Sequence, residues 1–283
     1  MKKLILHFCA LGILAAFTSC SVEKNDPVNE DLNLKASEGS SVLASERLNA
    51  EKLHVFKGPQ VQYGEGKIRS FISLDDDDFP VEIGFIMTKE VFDNVEILPE
   101  FDIATVFPLH QKAKEVTPFE HLALKWSEGH PPAFFDPHFD FYFYMISNEE
   151  RLSIPEYTPE TEDLFTLYPP EGYMPEDYGT PPGQGGVYPY IGKHWLPLNL
   201  PAYLPFTSIM VLGTFNGEYI FTEPMATLDV LISDPDISAE FSQPEFFHES
   251  NNYPTRYNIY EDPKTGDVYV TLSDFVARLK SFR

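Results

Sequence analysis

Hydrophobic and polar positions alternate with a period of two along much of this chain. In Gly66–Leu74 (GKIRSFISL), Ile68, Ser70, Ile72 and Leu74 fall on one side and Arg69, Phe71 and Ser73 on the other. That is the pattern of a strand. Val81–Met87 (VEIGFIM) also reads as extended. The intervening DDDDFP, Asp75–Pro80, reads as a solvated hairpin turn, because a calcium loop spaces its acids and usually needs a glycine. MTKEVFDNV predicts a short helix with Thr88 as its N-cap. Phe119–Trp126 and His138–Tyr144 read as strands, and Ser147 with Glu150 predicts a capping box on a brief helical turn that Pro155 stops. In Phe206–Ser233, Asn216-Gly217 separates two β-rich runs, which predicts a tight hairpin with a type I′ turn. Thr255–Leu272 predicts another hairpin, turning at Pro263–Gly266, and Ser273 is expected to cap a last short helix, DFVARLK.

Strands therefore dominate, and no βαβ rhythm or internal repeat is present. The expectation is an all-β, mainly antiparallel fold, a β-sandwich or jelly roll with a few short helices. Residues 155–190 stand apart, rich in proline, acids and tyrosine with a GQGG run. A loop of that length inside a compact domain is expected to act as a lid or binding arm, or else to decorate the surface.

The first twenty residues, MKKLILHFCALGILAAFTSC, change the picture. Lys2 and Lys3 precede an apolar run, Leu4–Phe17, that is short for a membrane span and reads as a secretory signal. FTSC resembles a bacterial lipobox, so Cys20 is expected to carry lipid at the mature N-terminus. The reading is a signal peptide over 1–19, a lipidated cysteine and polar tether over 20–52, and one β-rich domain over 53–283. The other cysteine, Cys9, leaves with the signal, so disulfides and thiolate chemistry are excluded from the mature domain. The chain has 20 basic and 44 acidic residues, a net −24; loss of Lys2 and Lys3 makes it −26. Such a charge argues against nucleic acid as a partner and favours cations. The expected address is the bacterial cell envelope, lipid-anchored in the outer membrane on its periplasmic face or at the cell surface.

Candidate chemistry concentrates in GHPPAFFDPHFDFYFYMIS, Gly129–Ser147. On a strand, Phe139, Phe141 and Phe143 share one face, and His138, Asp140, Tyr142 and Tyr144 share the other. The phenylalanines predict core. The polar face offers ligands suited to zinc, iron or manganese. His138-x-Asp140 followed by His194 in GKHW has the order used by non-haem iron oxygenases of the jelly-roll type. The next arginine is Arg256, too far on to bind 2-oxoglutarate in the way those enzymes do. His130 beside Pro131-Pro132 and Glu223 in FTEPM complete the candidate set, Glu223 being costly to bury unless paired. His121, in an apolar strand, reads first as a structural histidine and second as a ligand. His54, His110 and His248 have no supporting context. Serine and cysteine hydrolase motifs, Walker loops and HExxH are absent from the sequence.

The blocks GEGKIRSFISL…FPVEIGFIMTKEVFDNV, TPFEHLALKWSEGHPPAFFDPHFDFYFYMIS, GKHW and FTSIMVLGTFNGEYIFTEPMATLDVLIS, in that order, resemble a bacterial family of unknown function. It is typified by a thermophile protein under control of a sigma-E/anti-sigma-E pair. The resemblance spans roughly residues 60–235 and implies that His130, His138, Asp140, His194 and Glu223 share one site. The family strand reads PHFDFHFY; here Tyr142 replaces the second histidine, and tyrosine is a poorer metal ligand unless ionised. Pro131 stands where the family tends to have an acid. The leading expectation is a site that binds a divalent metal such as Zn or Fe, or a polar small molecule, without turnover. The alternatives are a metal-dependent enzyme and a glycan- or partner-binding surface protein. A homo-oligomer is compatible with each.

Overall fold

The fold is that of a computed structural model, which describes residues 53–95 and 104–282. The segments expected to be a signal peptide and a tether, with Cys20, lie outside the described residues. The strands are, in chain order, β1 (His54–Tyr63), β2 (Gly66–Leu74), β3 (Pro80–Met87), β4 (Thr105–Pro108), β5 (His121–Ser127), β6 (His138–Tyr144), β7 (Tyr178–Gly179), β8 (Val187–Tyr188), β9 (Gly192–Pro197), β10 (Ser208–Phe215), β11 (Glu218–Thr227), β12 (Asp236–Glu240), β13 (Asn251–Glu261) and β14 (Val268–Arg278). Four short helices interrupt them: α1 (Gln111–Val116), α2 (Asn148–Leu152), α3 (Glu162–Thr166) and α4 (Leu228–Ile232). One sheet runs β1-β2-β3-β14-β13-β12, the other β4-β5-β6-β11-β10-β9-β7 with β8 on β9, and every pairing is antiparallel. The two sheets form the expected β-sandwich.

The core between them is aromatic. Phe85 of β3 meets Phe141 and Phe143 of β6 edge to face, at 5.4 and 5.6 Å between ring centroids, and Phe107 of β4 at 5.7 Å. Phe139 packs on Phe92 and Trp126. Burial of each such ring stabilises the fold by roughly 1.5–3 kcal/mol relative to exposure.

The local signals in the sequence are realised. Asn216 and Gly217 both have positive φ, 49° and 82°, as a type I′ turn requires between β10 and β11. Asp75 stabilises the β2–β3 turn through its own carboxylate, which accepts the amides of Asp77 and Phe79. Ser147 and Glu150 make both bonds of the capping box on α2. Two expectations are corrected. Thr88 precedes a 3-10 turn, Lys89–Phe92, but its hydroxyl accepts the Lys67 amide instead of capping that turn. Ser273 caps no helix: β14 continues to Arg278, because Phe275 and Val276 find ladder partners in Pro254 and Tyr253 of β13. Asp274 takes up the irregularity with φ 54°.

The opposite face of β6 is covered as well. The chain from Ile146 to Tyr203 folds over it, and Ile154, Phe165 and Ile191 pack on Tyr142, Tyr144 and Phe221. All seven residues of β6 are thus buried.

Candidate functional site

The outer face of the second sheet places the polar candidates in register. Lys125, Asp140 and Met225 form one row across β5, β6 and β11. The pairs Thr222↔Phe143 and Met225↔Asp140 set Glu223 beside Tyr142 in the next row, with Val211 beyond it on β10. The row after that is His121, Tyr144, Phe221, Gly213 and His194. Gly213 is required there: a Cβ would stand 1.9 Å from the Phe221 ring. Its absence lets Phe221 lie edge-on to His194, 5.4 Å between centroids.

Above this floor is a cavity of about 540 Å³. Asp140, Tyr142, Glu223 and His194 from the sheet line it, together with His130 and Phe134 from the turn before β6 and with Tyr188, Pro181, Pro182, Gly185 and Gly186 from the covering segment, which forms a wall. Lys193 is fully buried and ties down that covering wall, donating to the carbonyls of Pro181 (2.8 Å) and Gly183 (2.6 Å). The His194 amide donates to Gly186 O.

The hydrogen bonding of the base is incomplete. His194 Nε2 lies 3.1 Å from Glu223 Oε2, yet no aligned hydrogen bond joins them. His138 Nε2 lies 3.5 Å from Asp140 Oδ1, again without one. His138 Nδ1 is 2.7 Å from Asp136 O, a carbonyl, so Nδ1 carries the proton and, in the neutral ring, Nε2 is an acceptor facing an acceptor. The Tyr142 hydroxyl points at Asp140 Oδ2 from 3.5 Å. Glu223 is only 1% exposed. Burial, and then the charge of Asp140, push its carboxyl well above the usual carboxylate range. Burial pushes His194 down to about 4, so its ring is neutral at physiological pH. Burial also raises the Tyr142 phenol well above its ordinary value, which keeps it a hydroxyl donor and not a phenolate ligand.

The five candidates are not brought equally close. Asp140, Glu223, His194 and His130 line the cavity; His138 sits behind Asp140, its ring 5.4 Å from that of His130. Glu223 lies inside β11 and not at a solvent-facing strand end. His121 stands apart, stacked on Tyr144. His110 caps α1 by accepting the Lys112 amide, His54 contacts Asp76, and His248 stacks on Tyr173. Among the described residues no three His, Cys, Asp or Glu side chains assemble into a group that could hold a metal ion. Two cavity residues escape a motif-based reading. Lys125 shares a face with His121 and Ala123 by simple alternation, so period two pointed to it. Tyr188, whose ring lies 5.0 Å beneath the Lys125 ammonium, comes from the irregular loop and leaves no such signal.

Compared with family models, with curated proteins and with solved structures, the chain matches none. Among the described residues no helix is long and apolar enough to cross a membrane.

Proposed function

We propose that this protein is a lipid-anchored bacterial envelope protein that binds a small polar molecule, without turnover, in the cavity over β6 and β11. We place it with the family that its GHPP, PHFDF, GKHW and EPM blocks resemble. One observation carries the binding reading: Glu223, nearly wholly buried at the cavity base, has a carboxyl oxygen with no hydrogen-bond partner among the described residues. Leaving such a group unsatisfied costs about 1–3 kcal/mol or more, so proteins retain one where a ligand uses it. The cavity volume falls within the range of small-molecule sites.

A metal is the second reading, favoured by two distances. Donor atoms about 2.1 Å from one ion lie about 3.0–3.4 Å apart. The His194–Glu223 separation, 3.1 Å without hydrogen-bond alignment, is of that length, and His138–Asp140 at 3.5 Å is a separate and slightly longer pair, so either would give an ion two protein ligands.

The test is thermal unfolding of the full-length chain in mild detergent against amines, sugars, amino acids, Zn²⁺ and Fe²⁺, with metal content measured by mass spectrometry. A ligand of the site should raise Tm by several degrees, and the gain should vanish in His194→Ala/Glu223→Gln. No shift by any compound, and no bound metal, would leave these side chains a purely architectural role. For the anchor, Cys20→Ala should abolish labelling by radioactive palmitate and move the protein out of the membrane fraction. Unchanged labelling would remove the lipid from the reading.

A further inference from the structure

Beside the Tyr142 hydroxyl and the neutral His194 ring, the cavity base holds two carboxyl groups. Asp140 Oδ1 and Glu223 Oε2 accept, and both lack a hydrogen-bond partner among the described residues. The base therefore asks for a ligand rich in donors. An acidic cluster alone would not say so; the deciding feature is a buried, unpartnered carboxyl oxygen on the cavity lining.

The walls add a second requirement. Tyr188 and Phe134 both contribute aromatic carbon to the lining. The face of Tyr188 already receives a cation, the ammonium of Lys125 at 5.0 Å, so the protein itself demonstrates an alkylammonium in that place. Lys125 faces two carboxyls, Asp140 beside it in register and Glu223 one row on. Burial favours the neutral Glu223 carboxyl, and a second cation beside Lys125 would favour its ionised form. The nearby histidine, His194, is neutral for the reason given above, and Lys193 is committed to two loop carbonyls. On the scale of the whole chain, a net charge of −24 concentrates cations around the mouth.

We propose that the cavity takes an organic cation, a ligand with a primary ammonium or guanidinium head and a short carbon body. The head donates to Asp140 and Glu223, and the body lies against Tyr188 and Phe134. This rests on the reading of the cavity as a ligand site. Lys125 is then a competitor inside the site. It occupies the Tyr188 face and repels the incoming charge, which sets affinity below what the two carboxyls would give.

Titration calorimetry on the full-length chain in detergent tests this, with putrescine, agmatine and cyclohexylamine against the uncharged partners 1,4-butanediol and cyclohexanol, and with glucose and Zn²⁺ alone. At least one amine should bind while its neutral partner does not. Glu223→Gln should weaken it by about tenfold or more. Lys125→Met should tighten it by about threefold to tenfold, the opposite of what loss of a structural lysine would do. Circular dichroism of both variants verifies the fold. Binding of the alcohols or glucose in place of the amines overturns the cation assignment and leaves the ligand site standing. Binding of Zn²⁺ with every amine silent does the same in favour of the metal. Amine binding that Lys125→Met weakens overturns the competitor role of Lys125. Silence across the panel, Zn²⁺ included, removes the cation and the ligand site together.

Discussion

His121 lies flat against Tyr144, 4.9 Å between ring centroids and 11° from parallel. The Ile146 backbone approaches it, but neither ring nitrogen makes an aligned hydrogen bond among the described residues. Burial first, and the nearby charges of Arg151 and Lys114 next, lower its pKa from 6.5 to about 4. Below pH 6.5 the unfolded chain takes up a proton that the folded ring refuses. The contribution is therefore complete above pH 6.5 and is lost as pH falls through about 4, amounting to roughly 3 kcal/mol. His121→Phe keeps the stack and removes the titration. Its urea midpoint should match or exceed the parent at pH 7 and fall less between pH 6.5 and 4; an unchanged acid slope would contradict this account. Gly213→Ala should act in the opposite sense. Its methyl has to displace the Phe221 ring, at a cost of about 1–3 kcal/mol, read as a lower Tm and an altered near-ultraviolet spectrum. At this scale the sequence was informative where period two operates. It placed His138, Asp140 and Tyr142 on one face of β6, but it did not show which residue of another strand each would meet. That depends on register, which gave Glu223 to Tyr142 and Lys125 to Asp140.

Elements whose signal is local were legible and those decided by a distant partner were not. The Asn216-Gly217 turn and the α2 capping box need only their own residues. The end of β14 looked helical because its helix signals are local too, and the ladder with β13 outweighed them. β9 and β12 carried no pattern strong enough to stand out, and both are defined by the strand beside them. The expectation of a lid or arm over 155–190 is an element-scale matter as well. Its last turn, Pro181–Gly186, walls the cavity and is tied down by a buried ammonium. Lys193→Met leaves the carbonyls of Pro181 and Gly183 without that donor. It should destabilise the fold by about 1–3 kcal/mol and speed hydrogen exchange at 183–187 well beyond the global loss. Exchange that rises uniformly across the chain would mean that Lys193 supports the sandwich as a whole and not the wall in particular.

On the scale of the molecule, the alternation of apolar and polar positions was enough for the class of fold, since two antiparallel sheets bury the side chains it marks as inward. The excess of 24 negative charges was equally plain and has its own consequence. Like charges repel across the folded surface, and salt screens them within about 8–10 Å at physiological strength. Raising sodium chloride from about 20 to 300 mM should lift Tm by a few degrees; a flat or falling response would mean that paired charges, such as Arg256 between Glu240 and Asp274, dominate instead. The covering of β6 on both sides matters for descent as much as for stability. One face of that strand is committed to the sandwich and the other to the covering segment and the cavity, so a change in it, such as tyrosine for histidine at 142, alters the core or the site itself. New ligand preferences are therefore expected to arise in the covering segment around Tyr188 and Pro181–Gly186. Related chains should keep the inward phenylalanines of the strand and diverge most in the wall.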